Sequence, residues 1–270
     1  MQIKNHLHIK AACKNNKTYL HESYHRQPFK LANITEDKAG SLLRLMITSS
    51  SPGILDNDSY NIEIEILENA KLHLTTQGYQ RIFTMSNKAS QHINVKLENM
   101  GAFYFLPHPN VPHKASSFSS VNNIYLHKNH DLLWSEIITC GRKLSGEEFQ
   151  FTRYHCTANI YLENKLIVKE NILLEPIKKD VHSLGQLEGY THQSSLLFIN
   201  DEADMKECAN VCRKILSGNE GIVFGISLLP LNGLIFRILG HHGEQLFDCN
   251  RKLASVIQQL KKRFNLNNSV

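Results

Sequence analysis

Asn61-Ile62-Glu63-Ile64-Glu65-Ile66 alternates strictly between polar and apolar side chains. Alternation with a period of two is typical of a β-strand with one buried and one solvated face. We therefore expect Ile62, Ile64 and Ile66 to be buried and the two glutamates to lie on the opposite face. No long helical pattern precedes residue 200, so the first three quarters of the chain are predicted to be almost entirely β. The same alternation returns in three later segments: 71–75, 92–97 and 124–127.

Similar turns recur along this part of the chain. They open at Leu67, Leu97, Leu126 and Leu162, which are spaced by 30, 29 and 36 residues. Each turn contains an asparagine, a residue that tolerates the left-handed backbone conformation. A strand–turn unit that recurs about every thirty residues favours stacked β-coils, in which each coil buries the apolar face of its neighbour. A β-sandwich whose hairpins resemble one another explains the pattern equally well, and the repeat alone leaves both architectures open.

The last quarter of the chain has a different pattern. Residues 201–217 carry apolar side chains at helical spacing, two apolar runs flank Asn232-Gly233 as in a hairpin, and a final helix carries an apolar stripe from Leu246 to Leu260. We predict one domain over residues 1–270. It consists of a β body (1–200) and a small helix–hairpin–helix cap (201–264).

Composition excludes several classes of protein. Of the 270 residues, 41% are hydrophobic and 20% are charged, so a folded core is expected rather than disorder. No apolar run approaches the ~18 residues of a membrane-spanning helix. The segment Met1–His6 leads into no signal-peptide core, which predicts a cytoplasmic protein. Six cysteines are too few for a disulfide scaffold.

The positive charge is mild. The formal net charge is +5, and the densest basic cluster, Arg251-Lys252 followed by Lys261-Lys262-Arg263, has no aromatic residues among its members. We interpret this cluster as a solvated helix face rather than a nucleic-acid site.

The sequence contains no recognisable catalytic motif. A glycine-rich phosphate loop, a His-Glu-x-x-His segment and a nucleophile elbow are all missing, which predicts that the protein is not an enzyme. The histidines of the strands, among them His73, His92 and His127, fall on the polar phase and are expected at the surface.

Metal ligands are more plausible in the cap. Cys208 and Cys212 lie four residues apart on one helix face, and His241-His242 and Cys249 lie at the second helix, so thiolate and imidazole ligands for Zn²⁺ or Ni²⁺ are available. A stand-alone nickel- or zinc-storage protein is therefore one candidate function. The three cysteines also lie on apolar stripes, where free cysteine commonly fills a core. We interpret them as core residues.

A second set of polar residues lies among apolar strand segments. If these side chains point inward they need partners, and an interior lined by carboxylates attracts a divalent cation. If they point outward they are ordinary surface groups, and the alternation alone leaves both orientations open. The set is Asp58, Gln77, Glu136, Arg142, Glu147 and Glu170.

These residues belong to a series of short segments that runs in order from about residue 40 to 200. The segments are Ser-Pro-Gly-Ile-Leu (51–55) with Asp58, Leu-Thr-Thr-Gln (74–77), Gly-Ala-Phe-Tyr-Phe-Leu-Pro-His-Pro (101–109), Val-Pro-His-Lys-Ala (111–115), Ser-Glu-Ile-Ile-Thr-Cys-Gly-Arg (135–142), Gly-Glu-Glu-Phe (146–149), Lys-Glu-Asn-Ile-Leu-Leu (169–174) and Gly-Tyr-Thr-His (189–192). In these segments the chain resembles the urease accessory proteins of the UreD/UreH family. Two positions depart from the family pattern: Asn57 stands where glycine is usual, and His108 where glutamine is common.

The resemblance implies a β-helical scaffold that delivers nickel without catalysing a reaction. Proteins of this family bind UreF, recruit the GTPase UreG through UreF in a dimeric assembly, and dock on apo-urease. Nickel is thought to pass through an internal tunnel, so no tightly bound cofactor is implied. Carried onto this sequence, the resemblance makes Asp58, Glu136, Glu147 and Glu170 candidates for the metal path. Gln77 and Arg142 are candidate structural residues, and we expect at least Arg142 to hold a carboxylate rather than to conduct.

Overall fold

The computed structural model describes residues 4–267, of which about half lie in strands. A single 3₁₀ turn, Lys143–Ser145, interrupts the strands before residue 200 of that range. The strands are β1 (Lys4–Lys14), β2 (Lys17–His25), β3 (Phe29–Asn33), β4 (Leu42–Ser49), β5 (Ser59–Ile66), β6 (Lys71–Thr76), β7 (Gln80–Ile82), β8 (Ala89–Leu97), β9 (Ala102–Leu106), β10 (Asn110–Pro112), β11 (Ser117–Leu126), β12 (Asp131–Thr139), β13 (Arg153–Leu162), β14 (Lys165–Leu174), β15 (His192–Asn200), β16 (Val223–Leu228) and β17 (Gly233–Gly240), and the helices are α1 (Met205–Ser217) and α2 (Gly243–Asn267).

Within the described range the strands form two sheets. The first has the order β14-β13-β11-β8-β5-β1-β2, and the second follows β16-β17-β15-β12-β9-β6-β4-β3, with β7 and β10 attached at its side. From β4 to β13 the chain crosses repeatedly between the sheets. Successive arrivals in the same sheet pair in parallel, as β5 does with β8 and β6 with β9. The recurring unit in the sequence is therefore one crossing and return.

The regular β-solenoid that we expected is not confirmed, because both sheets are mixed. The pairs towards the ends of each sheet are antiparallel, for example β1 with β2 and β12 with β15. The longest spacing of the repeat, from Leu126 to Leu162, includes the segment with the 3₁₀ turn between β12 and β13. The regular crossing then ends after Leu162. Glu163 and Asn164 both have positive φ, 48° and 65°, which is the backbone of a two-residue hairpin. The chain therefore turns back within the first sheet instead of crossing to the second.

The asparagine turns behave largely as predicted. Asn69 and Asn129 adopt the left-handed conformation, with φ of 60° and 55°. In the turn between them, Met100 rather than Asn99 has positive φ, 56°. Asn57, which replaces the usual family glycine, has φ of 67°. Asparagine is one of the few other residues that tolerates this region, so the substitution preserves the turn.

The predicted orientation of the segment that opens the sequence analysis is confirmed. Ile62, Ile64 and Ile66 are at most 5% exposed and face the second sheet, while Glu63 and Glu65 lie on the opposite, solvated face. The isoleucines stack on their neighbours of β8 in parallel register. The inner faces of the two sheets bury a single large core.

Both helices cover the outer face of the second sheet and form a separate core with it. The predicted helix–hairpin–helix elements are all present. The hairpin, β16 and β17, is hydrogen-bonded to β15 and so continues the second sheet, while the division of the chain at residue 200 stays a prediction. Neither described helix combines the length and the hydrophobicity needed to cross a bilayer.

The helical cover also explains a wrong prediction. His92 and His127 are exposed as expected, but His73 is half-buried. It lies on the outer face of β6, which alternation alone predicts to be exposed to solvent. In the structure α2 covers that face. Period-two patterning cannot reveal that a polar face is covered by a helix from the far end of the chain.

Candidate functional site

A cavity of about 280 Å³ opens between the inner faces of the two sheets. Its rim is formed by exposed residues that include Ser49, Gln77 and Tyr79. Its walls are mainly apolar, and the buried polar groups of its lining gather around Glu136 and Asn122 at the deep end. Two of the six residues singled out from the sequence, Gln77 and Glu136, thus line one cavity, at its rim and at its deep end.

Glu136 is held by its neighbours at the deep end. Its strand, β12, points Trp134, Glu136 and Ile138 inward by simple alternation. The Asn122 side-chain amide donates to Oε1 of Glu136 at 2.9 Å, and the indole N–H of Trp134 donates to the same oxygen at 3.2 Å. The carboxyl group is therefore oriented by two donors while it borders the cavity.

Burial dominates the electrostatics of this end. It raises the pKa of Glu136 above its usual value, although hydrogen bonds with Cys156 and Trp134 act in the opposite direction. Burial and the adjacent Glu136 raise the pKa of Cys156 well above that of a free thiol. Cys156 is therefore a protonated thiol at neutral pH, which binds a metal weakly because the thiolate is the strong ligand.

Glu170 lies outside the cavity, between the two sheets, near the residues that are in register with Glu136. In register across the second sheet, Ser195 of β15 stands opposite Glu136 and Arg237 of β17 opposite Ser195. Glu170, from β14 of the first sheet, accepts from Arg237 Nη2 at 2.8 and 3.0 Å and bonds with Ser195. Burial raises the pKa of Glu170 while Arg237 opposes that rise. A row of polar side chains thus leads from Glu136 to Arg237, whose side chain is half exposed.

Asp58 stabilises a turn at the cavity wall. Its Oδ2 accepts from the backbone N–H of Leu55 at 2.8 Å and from the hydroxyl of Tyr60, a cavity residue, at 3.3 Å. Gly53, in the same segment, packs so tightly that a Cβ there would overlap the carbonyl of Arg81. The Ser-Pro-Gly motif and Asp58 therefore shape the wall, and Asp58 is absent from the cavity lining.

Arg142 and Glu147 form a bidentate pair outside the cavity. Arg142 Nε donates to Glu147 Oε2 at 3.0 Å, and Nη2 donates to Oε1. Glu147 also accepts from the backbone N–H of Lys114, and the Arg142 guanidinium lowers the pKa of its carboxyl. The geometry matches the carboxylate-holding pair expected of Arg142, and it places Glu147 in a loop contact rather than in the cavity.

Sequence reasoning missed several residues of the deep end. Ser120 and Asn122 are 3% and 2% exposed and share the inward phase of β11 with Ile124 and Leu126. The signal was available, since extending the alternation from Ile124 back towards Phe118 places two polar residues on the buried face. Cys156 and Tyr154 follow the same rule in β13.

The cysteines of the cap lie in the helix–sheet core, as interpreted from the sequence. Cys208, Cys212 and Cys249 are at most 1% exposed. Burial raises the pKa of Cys208 to about 11 and that of Cys212 to about 12. Across the described residues, no three His, Cys, Asp or Glu side chains are grouped closely enough to hold a metal ion.

Comparison with known proteins identifies the family. The profile of the family described as UreD urease accessory protein matches residues 4–267. This chain belongs to the UreD family. The urease accessory protein UreD of Flavobacterium johnsoniae is 42% identical to it over 98% of this chain and 96% of its own length. The UreD proteins of Acetivibrio thermocellus (34%, over 93% and 96%) and Actinobacillus pleuropneumoniae (30%, over 90% and 92%) are also similar.

Membership of the UreD family confirms the resemblance read from the sequence motifs. The relatives are named as accessory proteins rather than as enzymes. The motif residues of this UreD chain divide into two groups by position. The first group, Gln77, Glu136 and Glu170, lies along the cavity and the polar row that continues from it. The second group, Asp58, Arg142 and Glu147, stabilises turns and loops.

Proposed function

We propose that this chain serves urease maturation as a scaffold with a nickel-conducting interior. The proposal rests on one observation: a cavity between the sheets ends at the enclosed carboxyl of Glu136, and a row of polar groups continues from there to Glu170 and Arg237. Gln77 lies at one end of this route and Arg237 at the other.

The chemistry of the route suits an ion in transit. Ni²⁺ accepts carboxylate, imidazole and sulfur ligands, and Glu136, Cys156 and the cavity residue His108 offer one of each. Passage requires sites that release the ion as readily as they take it up. Isolated ligands along an apolar wall meet that requirement better than a closed coordination cage, which traps its metal.

The partners in this proposal are those of the family. The chain binds UreF, recruits the GTPase UreG through UreF in a dimeric assembly, and docks on apo-urease, so that nickel released by UreG enters the interior route. Asp58 and the Arg142–Glu147 pair support this role by fixing the wall and the loop beside the cavity.

Two charge-removing variants test the conducting role. Glu136→Gln and Glu170→Gln are co-expressed with urease and the accessory proteins, and complex recovery by affinity capture is scored separately from nickel content per urease. We expect normal recovery and reduced nickel loading. Glu68→Gln, which removes an exposed turn carboxylate, is the matched control and should change neither.

Two outcomes separate the alternatives. Normal nickel loading in both variants would refute conduction through these carboxylates. Loss of complex recovery would instead make them structural residues of the scaffold.

A further inference from the structure

A second cavity lies on the other side of the second sheet, beneath α2. It has a volume of about 360 Å³ and is separated from the interior route by the sheet itself. A volume in the range of roughly 300–1,000 Å³ is usual for small-molecule sites. Its polar lining combines residues of the sheet and of the helix: Arg44, His73, Arg251, Lys252, Ser255 and Gln258.

The lining of this cavity is positively charged and rich in hydrogen-bond donors. Three permanent cations converge on it, Arg44 from β4 and Arg251 and Lys252 from α2, and within the described residues no carboxylate lines it. Arg251 also forms an exposed ion pair with Asp248, at 3.4 Å, on the helix surface. Like charges gathered in one concave site repel one another, so a bound anion would relieve them.

His73 adds an independent sign of a missing acceptor. Arg44 Nη1 lies 2.6 Å from His73 Nδ1, and a guanidinium can only donate, so Nδ1 is the acceptor. Burial and the two arginines hold the pKa of His73 at about 4, so the ring is neutral and its proton is on Nε2. This buried Nε2–H has no hydrogen-bond partner in the described chain, although buried polar groups are normally paired.

We propose that this cavity binds a phosphate group through Arg44, Arg251 and Lys252. A phosphate supplies two negative charges and several acceptor oxygens, and its geometry matches the fork of a guanidinium. A single carboxylate would neutralise fewer of the three cations and offer fewer oxygens to the donors. The site is independent of the metal route, so either assignment can fail without the other.

Binding is tested by nuclear magnetic resonance on the full-length chain with ¹³C-labelled histidine. Inorganic phosphate and adenosine monophosphate are titrated at constant ionic strength, with chloride and adenosine as blanks. The imidazole resonance of His73 is assigned by its loss in His73→Gln. We expect a saturable shift of that resonance with a Kd below about 1 mM, and none with the blanks. A response to adenosine monophosphate alone would show that the site binds phosphate esters. An equal response to adenosine monophosphate and inorganic phosphate would show that the site recognises the phosphate group itself.

A matched pair of variants locates the site. Arg251→Gln with Lys252→Gln removes two exposed cations of α2 and should weaken phosphate binding about tenfold or more, since hydrogen bonds to charged groups are strong. Arg213→Gln with Lys214→Gln removes the same charges from an adjacent, exposed pair on α1 and should leave the Kd within about twofold.

Absence of a saturable shift, or equal Kd values in the two double variants, would overturn the proposal. Tighter binding of a glutamate-rich peptide than of phosphate would replace it with an acidic protein partner.

Discussion

At the scale of single residues, position decides what a carboxylate does. Glu136 and Glu147 both belong to motifs of the family, yet their environments shift their pKa values in opposite directions. Burial beside the cavity raises the pKa of Glu136, whereas Arg142 lowers that of Glu147 in an accessible loop. A group whose charged form is disfavoured in the folded state is kept at a cost to stability, which is typical of residues retained for function.

Glu136→Gln is therefore expected to stabilise the fold at neutral pH. The pKa of Glu136 is higher in the folded than in the unfolded state, so ionisation costs stability above both values. That cost falls once the pH drops below the folded pKa, because the folded state then binds the proton, and it is gone below the unfolded pKa. The amide oxygen of glutamine can still accept from Asn122 and Trp134. Urea unfolding should show a gain for the variant at pH 8 that shrinks towards pH 4.5.

The same comparison with Glu68→Gln supplies the baseline. Glu68 is an exposed turn residue, so its variant should differ little from the parent at either pH. A gain for Glu136→Gln that is independent of pH would show that burial of the charge is not its cause.

At the scale of elements, alternation carried most of the predictable information. It identified the strands and the buried phase of β5, and helical spacing identified α1 and α2. It failed for His73 and left the orientation of Glu136 open, because both depend on what packs over a face. Residues 130 positions apart, such as Asp131 and Lys261, meet only in the folded chain. No local pattern encodes such a contact.

The helix–sheet core should depend on the two cysteines of α1 for packing rather than for chemistry. Cys208 and Cys212 lie fully buried against the second sheet. Cys208→Ala and Cys212→Ala each remove a buried sulfur and should lower the free energy of unfolding by about 1–2 kcal/mol. Urease activation per folded molecule should be unchanged. Lost activation with an unaltered unfolding curve would indicate a metal ligand instead.

A buried ion pair ties α2 to the second sheet. Lys261 donates to Asp131, which also accepts from the hydroxyl of Tyr104, and the Asp131 side chain is only 7% exposed. Lys261→Met leaves that carboxylate without its cation and should cost about 3 kcal/mol. Denaturant unfolding measures the loss. Lys214→Met, at an exposed position of α1, is the control and should cost far less.

Asp131→Asn combined with Lys261→Met distinguishes charge from packing. Removing both charges should recover more than half of the loss, because no unpaired carboxylate remains buried. A loss below about 1 kcal/mol in the single variant would mean that the pair contributes no more than a surface contact.

At the scale of the whole molecule, the two sheets of the described chain enclose one route, and their two main strand orders end in four edge strands. Edge strands expose unpaired backbone groups that can join other chains, and charged side chains usually protect them. Three edges carry lysines, at Lys17 of β2, Lys30 of β3 and Lys165 of β14. The fourth, β16, reads Val-Phe-Gly-Ile-Ser-Leu and has no charge. Its exposed phase includes Val223 and Ser227.

This uncharged edge predicts self-association when the chain is produced without partners. Six-residue segments of high β-propensity and no charge are typical of aggregating edges, and one lysine on the exposed phase should block pairing. Ser227→Lys is expected to raise the monomeric fraction at least about twofold in size-exclusion chromatography. Ser217→Lys adds the same charge at the exposed end of α1 and should not. If both variants raise the fraction equally, net charge rather than the β16 edge limits solubility; if neither does, association proceeds through another surface.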